Sequence, residues 1–191
     1  LQERKTVPNP YCERFTKKVF RNCTAVKQVK WVGRRAWINS HFDSKNFRDF
    51  LHHPEKYFPK NSADLLKDGN SATVAVVNLD EGQFVVKRYN YSKSFHTFLR
   101  RFRKSRASRS WANAHRLINY GLLTPEPVAL VETSVGPAIK HAYFIARFNK
   151  SIDALEYFSS KEISFEEKLK MMDQVVIMFS VFKKCLITHG D

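Results

Sequence analysis

The 191-residue sequence predicts an α+β fold: a five-stranded antiparallel sheet with one inserted helix, followed by further helices. Three observations carry this. Ala72–Val77 and Gln83–Tyr89 are β-branched runs on either side of Asn78-Leu79-Asp80-Glu81-Gly82, a hairpin-turn composition. Val128–Glu132 and Ala142–Phe148 repeat the pattern around a turn at Gly136-Pro137. Farther on, Phe165, Leu169, Met172, Val176 and Phe179 recur at alternating steps of four and three, continued by Phe182 and Leu186, which is the period of a long amphipathic helix.

The elements follow in order. Residues 1–62 are weakly periodic and read as an N-terminal extension packed on the domain that follows. Within them, Trp31–Ile38 suits strands around a turn, and Ser44–Leu51 suits a short helix capped by Asp43 or Ser44, with Pro54 and Pro59 ending that piece. Leu65–Ser71 reads as a strand entering a glycine turn, so 65–89 holds three antiparallel strands. Helix is expected from Phe95 to Tyr120 in two pieces. Trp111, Ala114, Leu117 and Ile118 form its buried face, and Gly121 sits at C′, where the backbone turns left-handed. Thr124-Pro125-Glu126-Pro127 breaks the chain before the second hairpin. A short helix over Ser151–Phe158 precedes the long one, whose N-cap is Ser164 and whose positive first turn holds Glu166 and Glu167. Residues 63–148 thus make one lobe, and 149–191 a linker with the first helices of a second.

Composition narrows the function. Hydrophobic residues at 43% with 27% charged residues fit a globular protein. The longest apolar stretch of the last helix, Val175–Phe182, falls well short of the ~20 residues of a bilayer span, and residues 1–30 are too charged for the core of a signal peptide. Cys12, Cys23 and Cys185 lack metal-ligand or disulfide-framework spacing and imply a reducing compartment; Cys185 is expected as a buried thiol. The net charge is +15, and its distribution is lopsided. No Asp or Glu occurs from Gln83 to Pro125, whereas Lys87, Arg88, Arg100, Arg101, Arg103, Lys104, Arg106, Arg109 and Arg116 all do. Such a field attracts phosphates, anionic lipids or nucleic acid without choosing among them. The run from Leu99 to Arg109 is also compatible with a merely solvated helix face over Phe95, Phe98 and Phe102.

Lys87 on a strand, then a helix, a hairpin, a long helix and His189-Gly190-Asp191, is the spacing by which protein-kinase-like folds place a phosphate-binding lysine and a catalytic aspartate. The runs Val85-Val86-Lys87-Arg88-Tyr89-Asn90, Ser105-Arg106-Ala107 through Trp111-Ala112-Asn113-Ala114-His115-Arg116-Leu117, and Gly121-Leu122-Leu123-Thr124-Pro125-Glu126-Pro127 resemble the bacterial lipopolysaccharide kinase family, which includes Kdo kinase and the WaaP-type heptose kinases. The resemblance spans Leu65 to Asp191. It implies a kinase-like N-lobe joined to the start of a helical C-lobe and stopping at the catalytic loop. It also implies ATP and Mg²⁺ as cofactors, a lipopolysaccharide inner-core sugar as acceptor, and a cytoplasmic location at the inner membrane of a Gram-negative bacterium.

Under the same resemblance, Lys87 would contact the α- and β-phosphates, and the turn Asp68-Gly69-Asn70-Ser71 would cover them. Arg147-Phe148-Asn149 would be the hinge against adenine, Asp191 would accept the proton of the attacking hydroxyl, and His189 would brace the catalytic loop. Arg100, Arg101, Arg103, Lys104 and Arg106 would meet an anionic membrane surface. Two departures stand out. Ser110 precedes Trp111, and no helix glutamate is present to pair with Lys87. The Asn and Asp that would hold Mg²⁺ are expected after Asp191, so the 191 residues alone are expected to be inactive. The alternatives are a catalytically dead kinase-like binding or regulatory module and, less favoured, a basic nucleic-acid-binding domain.

Overall fold

The computed structural model describes residues 10–58, 65–90, 104–185 and 187. Its centre is one seven-stranded, wholly antiparallel sheet in the order β1-β2-β6-β7-β5-β4-β3. The strands are β1 (Val26–Trp31), β2 (Arg34–Asn39), β3 (Leu65–Asp68), β4 (Ala72–Leu79), β5 (Gly82–Tyr89), β6 (Pro127–Val135) and β7 (Ala138–Arg147). The five expected strands are present, but two more are joined to them. β2 pairs with β6 from Arg34↔Thr133 to Ile38↔Ala129, so the stretch read as an extension supplies strands of the same sheet. β6 is thereby central, flanked on both sides, and its first seven residues are all buried, as a strand covered on both faces requires.

Helices cover both faces. On one, α2 (Lys45–His52) sinks Phe47, Phe50 and Leu51 against Ala75, Val77, Phe84, Val86, Tyr143 and Ile145. Ser44 caps it by accepting from Phe47 N–H at 3.0 Å, while Asp43, the other candidate cap, is held by Arg48 at 2.6 and 2.8 Å. A single turn of helix, α3 (Pro54–Tyr57), follows.

On the other face lie α1 (Pro10–Lys18) and α4 (Arg106–Asn119). Trp111 is fully buried among Val19, Val26, Trp37, Tyr89, Leu130 and Ala142, and its indole N–H donates to the Val19 carbonyl at 2.9 Å. Ser105 caps α4 through Ser108 N–H at 2.9 Å. The helix stops in a Schellman turn: Leu122 N–H reaches Leu117 O at 3.0 Å and Gly121 N–H reaches Ile118 O at 2.9 Å, with Gly121 at φ 77. Ala114 is buried as its spacing implies, whereas Ile118 is 43% exposed. The expected helical piece from Phe95 to Arg103 lies outside the described residues.

α5 (Ala154–Ser159) and α6 (Phe165–Cys185) complete the chain. Ser164 and Glu167 form a capping box, with Ser164 N–H donating to Glu167 Oε2 at 3.0 Å and Glu167 N–H to Ser164 Oγ at 3.2 Å. The apolar period of α6 makes a helix but not a buried face. Phe165 is 77%, Val176 60% and Phe179 56% exposed, and among its described side chains only Val181 is buried, against Leu117, Tyr120, Leu122 and Ile187. Among the described residues α6 packs on α4 through Val181 near its C-terminal end, and most of its apolar stripe is exposed. Cys23 is an exposed free thiol; the Cys12 and Cys185 side chains lie outside the described set.

Candidate functional site

Strand register fixes what surrounds Lys87. On the face covered by α4, one row across the sheet reads Val74, Lys87, Phe144, Leu130 and Trp37. The next row reads Ala72, Tyr89, Ala142, Glu132 and Arg35. α4 packs on the second row, where Ala72, Tyr89, Ala142 and Glu132 are buried. Val74, Val76, Val85, Lys87 and Phe144 are only half-buried. Lys87 therefore sits at a border: packed core on one side and a half-buried aliphatic strip on the other.

Two cations share one ring beside it. Lys87 Nζ and Arg106 Cζ each lie 5.4 Å from the centre of the Tyr89 ring. At that distance each contact is attractive by about 0.5–1 kcal/mol. The Tyr89 hydroxyl shares a 2.6 Å hydrogen bond with Ser110 Oγ, just before Trp111. Burial raises the Tyr89 pKa, opposed by the Ser110 bond and by the Arg106 and Arg109 charges, so the phenol stays neutral at ordinary pH. Among the described residues Lys87 forms no ion pair. It is steered by an aromatic ring and packing instead of a carboxylate.

The turn after β3 is tied firmly to this corner. Arg106 Nη2 donates to Ser71 O at 2.9 Å and to Asn90 O at 3.1 Å. Asn90 Nδ2 donates to Gly69 O at 2.9 Å and Asn90 N–H to Ser71 O at 3.1 Å. Gly69 N–H is itself committed to Ala72 O at 3.1 Å, while Asn70 and Ser71 are exposed at the tip. Gly69 does not adopt a left-handed conformation, and a Cβ there would meet Ala72 O at 3.4 Å, ordinary contact. What the turn offers a ligand is thus its Asn70–Ser71 tip, rather than the Gly69 amide.

At the other end of the strip, β7 runs into Phe148. Its N–H donates to Gln83 O at 3.0 Å, and Arg147 N–H donates to Glu126 O at 2.9 Å. Of the expected hinge Arg147-Phe148-Asn149, the Arg147 and Phe148 amides are used within the fold, so Phe148 can offer its carbonyl but not its N–H.

Sequence reasoning misplaced Arg106 and missed Glu132. Arg106, expected on an outward basic face, turns its guanidinium onto the Ser71 and Asn90 carbonyls. Lys104 is exposed as expected, and Arg100, Arg101 and Arg103 lie outside the described residues, as do His189, Gly190 and Asp191. Glu132 is 3% exposed. Its Oε1 accepts from Ser105 Oγ at 2.5 Å and its Oε2 from Arg35 Nε at 2.8 Å. It lies two strands and one row from Lys87 and is already engaged, so it does not stand in for the missing helix glutamate. The signal for it lies in the strand: an acid directly after the apolar run Val128–Val131 continues a buried strand and, once buried, needs partners.

Among the described residues, no cluster of three His, Cys, Asp or Glu side chains could hold a metal ion, and no helix is long and apolar enough to cross a membrane. Compared with protein-family models, with curated proteins and with solved structures, the chain matches none of them.

Proposed function

We propose that the chain belongs to an ATP-dependent sugar kinase that phosphorylates a hydroxyl of the lipopolysaccharide inner core at the cytoplasmic face of the inner membrane. The observation that carries this reading is the position of Lys87. It stands on an inner strand, without a carboxylate partner among the described residues, between an aliphatic strip and a pinned turn. The residues fit a nucleoside triphosphate. Val74, Val76, Val85 and Phe144 offer an apolar bed for a purine, and Lys87 with Arg106 offers positive charge at the end where phosphates would lie.

Division of labour follows from that geometry. Lys87 holds a non-bridging phosphate oxygen as a point charge on rigid backbone. Arg106 keeps the 68–71 turn against α4 and adds charge from behind. When bound, MgATP would supply the phosphoryl group and its metal would neutralise phosphate charge; the Asn and Asp expected to hold that metal would follow Asp191. Asp191, the proposed acceptor of the hydroxyl proton, also lies outside them.

The test is titration of MgATP into the protein by calorimetry, with Lys87→Ala alongside. Saturable binding that falls at least tenfold in the variant, while a urea melt of the variant stays unchanged, is the expected result. Equal ATP binding by both proteins overturns the assignment. Polynucleotide binding that persists in Lys87→Ala, with no ATP binding by either protein, moves the protein to the nucleic-acid class.

A further inference from the structure

A second cationic concavity lies on the same face, away from Lys87. It is a cavity of about 330 Å³ between α1, β2, β6 and the start of α4. Lys17, Arg21, Arg35 and Lys104 contribute four positive charges to its lining and Glu132 one negative, with Trp37 among the apolar groups. Its size falls at the lower end of the range for small-ligand pockets.

Glu132 offsets only one of these four cations, Arg35. The carboxylate is consumed from within the fold, by Ser105 at 2.5 Å and by Arg35 Nε and Nη2, both at 2.8 Å. Its effect is to hold Arg35, whose guanidinium also lies 5.2 Å from the Trp37 ring centre and whose side chain is 52% exposed. A guanidinium fixed on two sides keeps its remaining N–H groups aimed outward in a set direction, which is what selects a tetrahedral oxyanion over diffuse counter-ions. Lys17, Arg21 and Lys104 are exposed and form no ion pair among the described residues. These three unpaired cations around one concavity repel one another, and a multivalent anion relieves that repulsion.

We propose that this cavity is a binding site for a phosphomonoester dianion, separate from the site at Lys87. The separation comes from the sheet: Arg35 on β2 and Lys87 on β5 are three strand spacings apart, roughly 14 Å. One nucleotide bedded on Val74, Val76 and Val85, with its phosphates at Lys87, runs along β4 and β5 instead of across the sheet to β2, and leaves the second site free. The phosphomonoester could belong to a soluble phosphosugar or to a lipid headgroup; the recognition chemistry is shared.

The experiment compares the wild-type protein with Lys17→Gln/Arg21→Gln, two exposed changes that leave Arg35, Glu132 and Trp37 in place. Lys183→Gln/Lys184→Gln on α6, with the same loss of charge elsewhere, is the control. Glycerol 3-phosphate is titrated by calorimetry, and vesicles containing phosphatidic acid are tested by co-sedimentation against vesicles of phosphatidylglycerol at equal charge. A tenfold or greater loss with the α1 pair, and less than twofold with the α6 pair, supports the site. If glycerol 3-phosphate shows the loss, the source is soluble; if only phosphatidic acid vesicles do, it is a headgroup. Equal losses in the two variants, no binding of either probe, or a preference for polynucleotide over both overturns it. Lys87→Ala separates this outcome from the kinase reading, since it should abolish ATP binding and leave phosphomonoester binding within twofold.

Discussion

His115 ties the stability of this lobe to pH. It sits on α4 with its ring 4.2 Å from that of Trp111, edge to face, and its Nε2 is buried without a hydrogen-bond partner. Burial lowers its pKa from 6.5 to about 4. In the folded state the imidazole stays neutral, while in the unfolded chain it takes up a proton near pH 6.5. The unfolded state thus binds more protons between those values, and stability falls as pH drops through that window. The whole gap corresponds to about 3 kcal/mol, of which about 2 kcal/mol is lost by pH 5. For a chain of this size that loss lowers Tm by about 4–8 °C. The assay is urea unfolding of the wild type and of His115→Leu at pH 7.5 and pH 5. Leucine cannot protonate, so the variant should lose about 2 kcal/mol less between the two pH values. Asp43 and Glu167, whose pKa values are lowered by Arg48 and by Ser164 respectively, also favour the fold above their unfolded pKa, but they are common to both proteins and cancel. Parallel declines in the two proteins, or an NMR titration of His115 centred near 6.5, would refute the reasoning.

Three further outcomes follow from particular contacts. Arg106→Ala removes both donations to Ser71 O and Asn90 O; amide exchange across 69–73 should speed up and stability drop by about 1–2 kcal/mol, whereas unchanged exchange would show that Asn90 alone pins the turn. Trp111→Phe leaves the Val19 carbonyl without its donor and a void beside Tyr89, so it should cost about 2–4 kcal/mol in a denaturant melt; a cost below ~1 kcal/mol would mean the site relaxes freely. Gly33 adopts φ 65, and a Cβ on it would meet Ser134 O at 3.1 Å, so Gly33→Ala should lower the melting free energy by about 1–2 kcal/mol from the left-handed backbone alone, while the same change at Gly69 should be nearly neutral.

Local signals proved legible where the physics is local. Gly121 closes a Schellman turn because no side chain favours its φ, and Ser164 with Glu167 caps α6 because both partners are three residues apart. The hairpins of β4–β5 and β6–β7 were visible for the same reason. What sequence could not supply was pairing at a distance. The β1–β2 hairpin joins β6, and the Arg35–Glu132 contact that accompanies this spans 97 residues, so nothing in the neighbourhood of Arg35 announces it. Likewise the basic residues between Lys87 and Arg116 look alike in composition. Only the exposed carbonyls of Ser71 and Asn90, brought close by β4 and β5, distinguish Arg106 as an inward tie from Lys104 as a surface charge. The period of α6 specified a helix, but whether its stripe is covered depends on what lies opposite, which periodicity does not encode.

Under the proposed kinase reading, the Ser110 found where a helix acid is expected is best understood through charge. A glutamate at the position of Ser110 would orient Lys87 but also neutralise it, and it would draw Arg106 away from the turn carbonyls. With Tyr89 and Ser110 there instead, both cations keep their full charge and are positioned by a ring that cannot cancel them. The cost is weaker orientation, since a cation over a phenol is held by about 1 kcal/mol where a partly buried ion pair holds by more. The corner compensates with rigidity elsewhere: Asn90, Gly69, Ser71 and Arg106 form a closed set of hydrogen bonds that fixes the turn relative to β5. Arg35 solves the same problem in the opposite way, giving up part of its charge to Glu132 in exchange for a fixed direction. One face of one sheet thus carries two cationic centres built on different principles, one retaining charge and one retaining orientation, and that difference is why they are read as serving different anions.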